Sequence, residues 1–353
     1  MRKLFEPVVL GELELANRIV MAPMTRNRAG ADFVPTDIMV EYYAQRADAG
    51  LIISEGTSPS VTGIAYCRQP AIETDAQIAG WKRVTEAVHA RGGLIALQLM
   101  HAGRIGSHHI KPAGVETVAP SAVRAGGEVY TDTAGMQPFD TPRALGTDEV
   151  RAVVQEYRRA ALAAREAGFD AVELHATSGY LPMQFLYSGT NRRDDIYGGS
   201  AAARARFAFE CLQAMAEAIG AGRVGLRLNP GNAFNDCHDA DSAASHAELM
   251  RQARPLGLAW LEVLRAPLPA IDAFALARAQ FGAPLVLNDS FDPASAEQAL
   301  AEGLGEAVSF ARHYVANPDL VRRLREGLPL AKFDRRTLYT PGPLGCIDYP
   351  CAA

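Results

Sequence analysis

The chain is expected to fold as a (β/α)8 TIM barrel of the α/β class. Three observations carry this: strand-length apolar runs alternate with amphipathic segments eight times, no run is followed by a GxGxxG turn, and the repeat keeps one style from end to end. The runs are RIVMAP (18–23), GLIISEG (50–56), LIALQLM (94–100), AVELHA (171–176), VGLRLN (224–229), LAWLEV (258–263), PLVLN (284–288) and AVSFA (307–311). They are continuously apolar, the pattern of parallel strands covered on both faces. Helices are expected over about 36–48, 75–91, 147–167, 202–220, 242–255, 270–281, 293–303 and 317–326. Thr147-Asp148-Glu149 and Asp292-Pro293 read as helix starts, and Gly168, Gly220 and Gly282 stand where helices should stop. Residues 1–17 alternate like a short hairpin that could plug the barrel bottom. Residues 101–146, rich in Pro, Gly, Ser and Thr, form a long excursion after the third strand, and loops of that length in compact domains are usually functional. A lid is the natural reading. The expected organisation is a single domain over 1–353.

Composition narrows the function. With 48% hydrophobic and 21% charged residues, a net charge of −5 and no block of like charges, neither nucleic acid nor an anionic membrane is an expected partner. MRKLFEPVVL lacks the apolar core of a signal peptide, so a cytoplasmic location is expected. Five scattered cysteines without CxxC spacing read as thiols rather than as disulfides or a zinc or iron–sulfur site. His108-His109 is not expected to hold a metal, because adjacent residues ligate one ion poorly and no carboxylate cluster accompanies them.

In such barrels the active site is built from the carboxyl ends of the strands and the loops that follow. The polar residues there are Thr25, Gly56-Thr57, Gln98 and His101, then His175, Ser178 and Tyr180, then Arg227, Asn288 to Ser290, and Arg312. Arginine inside a barrel strand is costly to bury unless something anionic meets it, so Arg227 implies either an ion pair with Glu173 or Glu262 or a ligand that is or becomes negative. Arg312, after the last strand, stands where barrels commonly hold a phosphate, a surface arginine being the plainer reading. Together with the Gln98 amide they suit a phosphorylated planar cofactor. A flavin fits, since Gln98 can both donate to and accept from its pyrimidine edge, but spacing alone does not separate it from another phosphorylated ligand. Read alone, Tyr180 is an ordinary core ring and His175 a cap for strand-end carbonyls.

NRIVMAPMTRNRA (17–29), QLMHAGRIGS (98–107), VAPSAV (118–123), TPRALGTDEV (141–150), HATSGYLPMQFL (175–186), NRRDDIYGGS (191–200), VGLRLNP (224–230), ARHYVANPDL (311–320) and DYP (348–350) occur in this order. With them the chain resembles, over essentially its full length, the Old Yellow Enzyme family of FMN-dependent ene-reductases, in the branch with Thr rather than Cys at position 25. The resemblance implies an enzyme in which NADPH or NADH reduces FMN and the hydride passes to the β-carbon of an activated alkene. Pro23, Met24 and Thr25 then pass along the isoalloxazine, with the Thr25 hydroxyl on its C4 oxygen. Gly56 allows close backbone approach, Gln98 holds the pyrimidine edge and Arg227 faces N1. Arg312 holds the phosphate with backbone amides around Asp289, Ser290 and Ala311. His175 and Ser178 become the two donors to the substrate carbonyl, where charge grows as hydride arrives. Tyr180, with an ordinary pKa near ~10, becomes the acid that protonates the α-carbon. Tyr66, Met100, Phe234 and Cys346 are the expected pocket walls. The expected partners are small-molecule activated alkenes, and the chain is expected to be a monomer or homodimer.

Several positions depart from the family pattern. Ser178 stands where Asn or His is usual, and losing one such donor costs about 1–3 kcal/mol. Asp289-Ser290 replaces Gly-Gly, and Ala311 replaces Gly. At an effective dielectric of ~20, a carboxylate ~8 Å from each unit of phosphate charge costs on the order of 2 kcal/mol, so Asp289 is expected to point away or pair with a cation. Met100 replaces an aromatic residue and Cys346 a tyrosine, changes that bear on pocket shape. The rival readings are a flavin-dependent reductase of nitrate esters or nitroarenes, and a non-redox barrel enzyme that uses Arg312 for a substrate phosphate.

Overall fold

In the computed structural model, described for residues 2–352 apart from 269 and 283, the eight apolar runs form a closed parallel barrel. Its strands are β1 (Ile19–Met21), β2 (Leu51–Ile53), β3 (Ile95–Leu99), β4 (Ala171–His175), β5 (Val224–Leu228), β6 (Trp260–Leu264), β7 (Leu285–Asn288) and β8 (Ala307–Phe310), and β8 pairs back onto β1. Each lies inside the run that predicts it or ends one residue past it.

Alternate strand residues point inward and outward. Val20, Leu51, Ile53, Ala96, Ala171, Trp260, Val286 and Ala307 pack inside the barrel. The N-terminal hairpin, Val8–Leu10 paired antiparallel with Leu13–Leu15, adds Leu10, Leu13 and Leu15 to that cluster and so plugs one end. Gly225 explains how Trp260 fits: a Cβ on Gly225 would lie 2.1 Å from the indole Cε2, so the ring occupies the place of a β5 side chain.

The helices around the barrel are α1 (Asp37–Ala44), α2 (Asp75–His89), α3 (Thr147–Glu166), α4 (Leu181–Leu186), α5 (Ala201–Ile219), α6 (Ser242–Ala253), α7 (Ala273–Gln280), α8 (Pro293–Ala301), α9 (Arg312–Ala316) and α10 (Leu320–Glu326). The Asp292 carboxylate accepts from the amides of Ala294 (2.9 Å) and Ser295 (2.8 Å), capping α8 as its sequence implies. Gly168, Gly220 and Gly282 all adopt positive φ and end their helices.

Three helices differ from expectation. The first stops at Ala44 rather than 48. A helix was not expected at α4, because all six of its residues are buried and no polar face sets a period. At the C-terminal end, Arg312 does not precede a helix near 317 but opens the short α9, and Asn317-Pro318 separates it from α10.

The 101–146 excursion contains a hairpin, Glu128–Thr131 with Gly135–Pro138, and a parallel pair, Val118–Ala119 with Arg143–Ala144. Its Ala125, Val129 and Phe139 pack with Met100, Ala102 and Tyr180. Arg104 donates to the Asn235 carbonyl (3.0 Å) and the Gly126 amide to Asp236 Oδ2 (3.0 Å), tying the excursion to the loop after β5. Among the described residues no helix is long and apolar enough to cross a membrane.

Candidate active site

A cavity of about 590 Å³ opens at the carboxyl ends of the strands. Pro23, Met24 and Thr25 after β1, Gln98 and Met100 from β3, His175, Ser178 and Tyr180 after β4, Arg227 from β5, Phe234, and Ala311 and Arg312 after β8 all line it. Thr25, Gln98, His175, Ser178, Tyr180, Arg227 and Arg312 were singled out by their place at strand ends and the others by the family resemblance, and closure of the barrel brings them round one space.

Its floor is a buried polar network. Gln98 Nε2 donates to Glu173 Oε1 (2.9 Å), and Trp260 Nε1 to Glu173 Oε2 (2.8 Å). Arg227 forms an ion pair with Glu262 and donates to Asn288 Oδ1 (3.1 Å), while Asn288 Nδ2 donates to Ser309 Oγ (2.6 Å). The carboxylate partner left open between Glu173 and Glu262 is therefore Glu262, and the guanidinium also reaches the cavity wall. Burial pushes the Glu173 carboxyl upward, the Glu262 charge adds to this, and Arg227 opposes both. One guanidinium thus serves two buried acids, an arrangement whose cost is met only while every partner is present.

His175 ends β4 and lies beside Arg227 in the strand register. Burial, and then the Arg227 charge, holds its imidazole well below the usual histidine range, so it is neutral and has one N–H. Its Nδ1 is buried without a hydrogen-bond partner among the described residues. Ser178 adopts φ 58°, and its carbonyl accepts from Asn235 Nδ2 (2.8 Å). Asn or His, the residues usual here in the family, adopt that left-handed conformation more readily than Ser does. Tyr180 sits at the N-cap of α4, its ring centroid 5.1 Å from that of His175 and its Oη 2.7 Å from Tyr66 Oη. Burial raises its phenol well above 10, so the proton stays on.

A second cavity of about 730 Å³ shares Ala311, Arg312, Phe333 and Arg335 with the first and adds Asp289, Ser290 and His313. Asp289 (φ 79°) and Ser290 (φ 59°) both hold left-handed backbone, which favours the glycines of the family pattern over the residues present. The Asp289 carboxylate is exposed and accepts from Ser290 Oγ (3.2 Å). Arg312 and Arg335 are exposed and have no ion-pair partner among the described residues. An elongated cleft with a polar floor, an amide in one wall and free guanidinium groups at one end fits a planar group carrying a phosphate.

Thr25 owes its place to a residue not singled out in the sequence. Glu55, fully buried after β2, accepts from the backbone amides of Arg26 (3.0 Å) and Asn27 (3.3 Å), and so holds the loop that carries Thr25. An acid at the end of the apolar run GLIISEG was the available signal. The C-terminal segment adds Phe333, Arg335, Leu338 and Tyr339 to the cavity wall, again without warning from the sequence. Arg28 holds that segment by donating to the carbonyls of Thr337 (2.7 Å), Leu338 (2.6 Å) and Leu344 (3.1 Å), and Arg26 by donating to Gly345 O (2.7 Å).

Three expected positions lie elsewhere. Cys346 does not reach the cavity: it is 1% exposed and packed in the core, its carbonyl accepting from Arg46 Nη2 (3.4 Å). Tyr66 reaches the site through Tyr180 rather than as a wall of the cavity. At Gly56 the close approach is made by Met100, whose Sδ would lie 2.6 Å from an added Cβ. His108 pairs with Asp140 (2.8 Å), and its ring lies 4.1 Å from that of His109.

The family model described as NADH:flavin oxidoreductase / NADH oxidase matches residues 3–331. A probable flavin mononucleotide-dependent alkene reductase of Leishmania infantum is 40% identical over 98% of this chain and 97% of its own length. Among solved structures, an Old Yellow Enzyme homologue from Zymomonas mobilis is 39% identical with a TM-score of 0.95, covering 99% of this chain and 100% of that one. Morphinone reductase in complex with tetrahydroNAD is 44% identical with a TM-score of 0.95, covering 100% and 98%. These matches exclude the non-redox barrel reading. The chain is an FMN-dependent oxidoreductase of the Old Yellow Enzyme family.

Proposed function

We propose that the protein is an ene-reductase that uses NADPH or NADH to reduce activated alkenes: α,β-unsaturated ketones, aldehydes, imides or nitro compounds. The observation that carries this reading is that a neutral His175, Ser178 and a protonated Tyr180 line one cavity together with Thr25, Gln98 and Arg227. When bound, FMN supplies the hydride for the β-carbon. Gln98, Thr25 and Arg227 would hold its ring system, and Arg312, beside Asp289, Ser290 and Ala311, would take its phosphate. His175 and Ser178 donate to the substrate carbonyl or nitro oxygen, where negative charge accumulates. Tyr180 gives its proton to the α-carbon. Met100 and Phe234 shape the substrate end of the cavity.

The test is an anaerobic visible spectrum of the FMN-loaded protein. NADPH or NADH is expected to bleach the flavin band and 2-cyclohexenone to restore it. A band restored by a nitrate ester or nitroarene but not by any alkene acceptor would replace this reading with the nitro-group reductase.

Ser178 gives a second prediction. Ser178→Asn places a residue tolerant of the left-handed backbone at φ 58° and adds a longer donor. It is expected to raise stability in urea by up to ~1 kcal/mol, the lower end of the cost of such strain. It is also expected to raise kcat/KM for 2-cyclohexenone by about tenfold, within what one oxyanion donor contributes. A fall in both quantities would show that the serine is fitted to this loop.

A further inference from the structure

The proposed proton donor has a partner that the chemistry above does not use. Tyr180 Oη lies 2.7 Å from Tyr66 Oη, within hydrogen-bond distance and with either oxygen able to donate. Around this pair the surroundings are apolar: Ala65, Met100, Ile105, Ala125, Val129 and Phe139 belong to the same cluster as Tyr180. Tyr180 is only 7% exposed, whereas Tyr66 is partly open to solvent. The Asn235 side chain is within reach of both phenols, but an amide is a poor carrier of protons.

A donor enclosed in this way must be resupplied. Once its proton leaves for carbon, the Tyr180 oxygen bears charge in a site that strongly disfavours a phenolate, as the upward displacement of its pKa by burial indicates. The second proton therefore has to arrive as the first departs, and with substrate filling the cavity the neighbouring phenol, partly open to solvent, offers a path for it.

We propose that Tyr66 relays solvent protons to Tyr180, which makes it part of the proton-delivery path and not a substrate wall. This rests on Tyr180 being the proton donor. The Tyr180 O–H bond breaks as the α-carbon–H bond forms, and the Tyr66 proton moves to the Tyr180 oxygen. A solvent acid, hydronium or a protonated buffer, then reprotonates Tyr66. One hydride delivered to the β-carbon and one solvent proton complete the two-electron reduction of the C=C bond.

Tyr66→Phe keeps the ring and removes only the relay oxygen. In the FMN-loaded protein at rest, exchange of the Tyr180 hydroxyl proton with solvent can be followed through the carbon-13 signal of its labelled Cζ in mixed H2O and D2O. Exchange is expected to slow at least tenfold in Tyr66→Phe. In turnover, kcat for 2-cyclohexenone is expected to fall about tenfold with KM within about twofold. With ferricyanide, which takes electrons without a carbon-bound proton, the fall is expected to be much smaller. An unchanged exchange rate, or an equal loss of kcat with both acceptors, overturns the relay. If Tyr180→Phe also reduces the enone at the wild-type rate, the proton-donor reading falls with it. If Tyr180→Phe is impaired while Tyr66→Phe behaves as wild type, the relay alone is lost.

Discussion

Tyr180→Phe is expected to slow enone reduction by about 10²–10⁴-fold, the range that one positioned general acid contributes. The loss should concentrate in the step with the alkene, because reduction of the cofactor by NADPH or NADH requires no proton on carbon. Rapid mixing of the reduced enzyme with 2-cyclohexenone, and separately with a nitroarene, measures this. A deficit confined to the alkene supports the assignment, and an equal deficit with both acceptors means that the hydroxyl serves binding or positioning and not proton delivery to carbon. The pH profile gives an independent check. The His175 pKa is displaced well below 6.5 and that of Tyr180 well above 10, both chiefly by burial, so each keeps its working proton through the neutral range. The alkene step should therefore not weaken as pH is lowered through 6.5, where an ordinary histidine would charge.

Arg227→Met is expected to destabilise the fold by about 3–5 kcal/mol, because it removes the cation from a floor that contains Glu262 and Glu173, both fully buried. Cofactor affinity should fall as well. Urea unfolding gives the first quantity and fluorescence titration of the apoprotein with FMN the second. The penalty should depend on pH in a definite direction. A carboxyl whose folded pKa is raised, as that of Glu173 is, keeps a proton that the unfolded chain releases. Stability is then greatest below the unfolded value near ~4.3 and declines as pH rises toward the folded value. Without Arg227 this decline should steepen, and adding Glu262→Gln should recover part of the loss. A variant as stable as the wild type at pH 8 would mean that the network rearranges or admits water.

The barrel was legible because its signals are local and repeated. A parallel strand buried on both faces is a short, continuous apolar run, and the glycines that end helices, such as Gly168 and Gly220, carry the positive φ that their position implies. The helix Leu181–Leu186 left no such trace, since a segment buried on every side has no periodicity to detect. The strand-end residues of the site were legible for a related reason: in a barrel, position along a strand specifies which end of the molecule a side chain faces. The rest of the wall was not. Phe333, Arg335, Leu338 and Tyr339 come from a segment whose short 3-10 turn, Arg335–Thr337, is too brief to set a period that indicates direction. Cys346 shows the same limit from the other side, because its place in the family pattern, where a tyrosine is usual, did not reveal that it turns into the core.

The guanidinium ties have a consequence for how the enzyme comes into being. Arg26 meets the Gly345 carbonyl across 319 positions of sequence, Arg28 meets Leu338 across 310, and Arg46 meets Cys346 across 300. Closing such long loops carries an entropy cost that is recovered only when both ends are present. A growing chain could fold its early βα units while still on the ribosome, yet Arg26, Arg28 and Arg46 would lack these distant partners until residues 338–346 had emerged. Completion of the cleft, and therefore full competence to retain a cofactor, waits for the segment that contains residues 338–346.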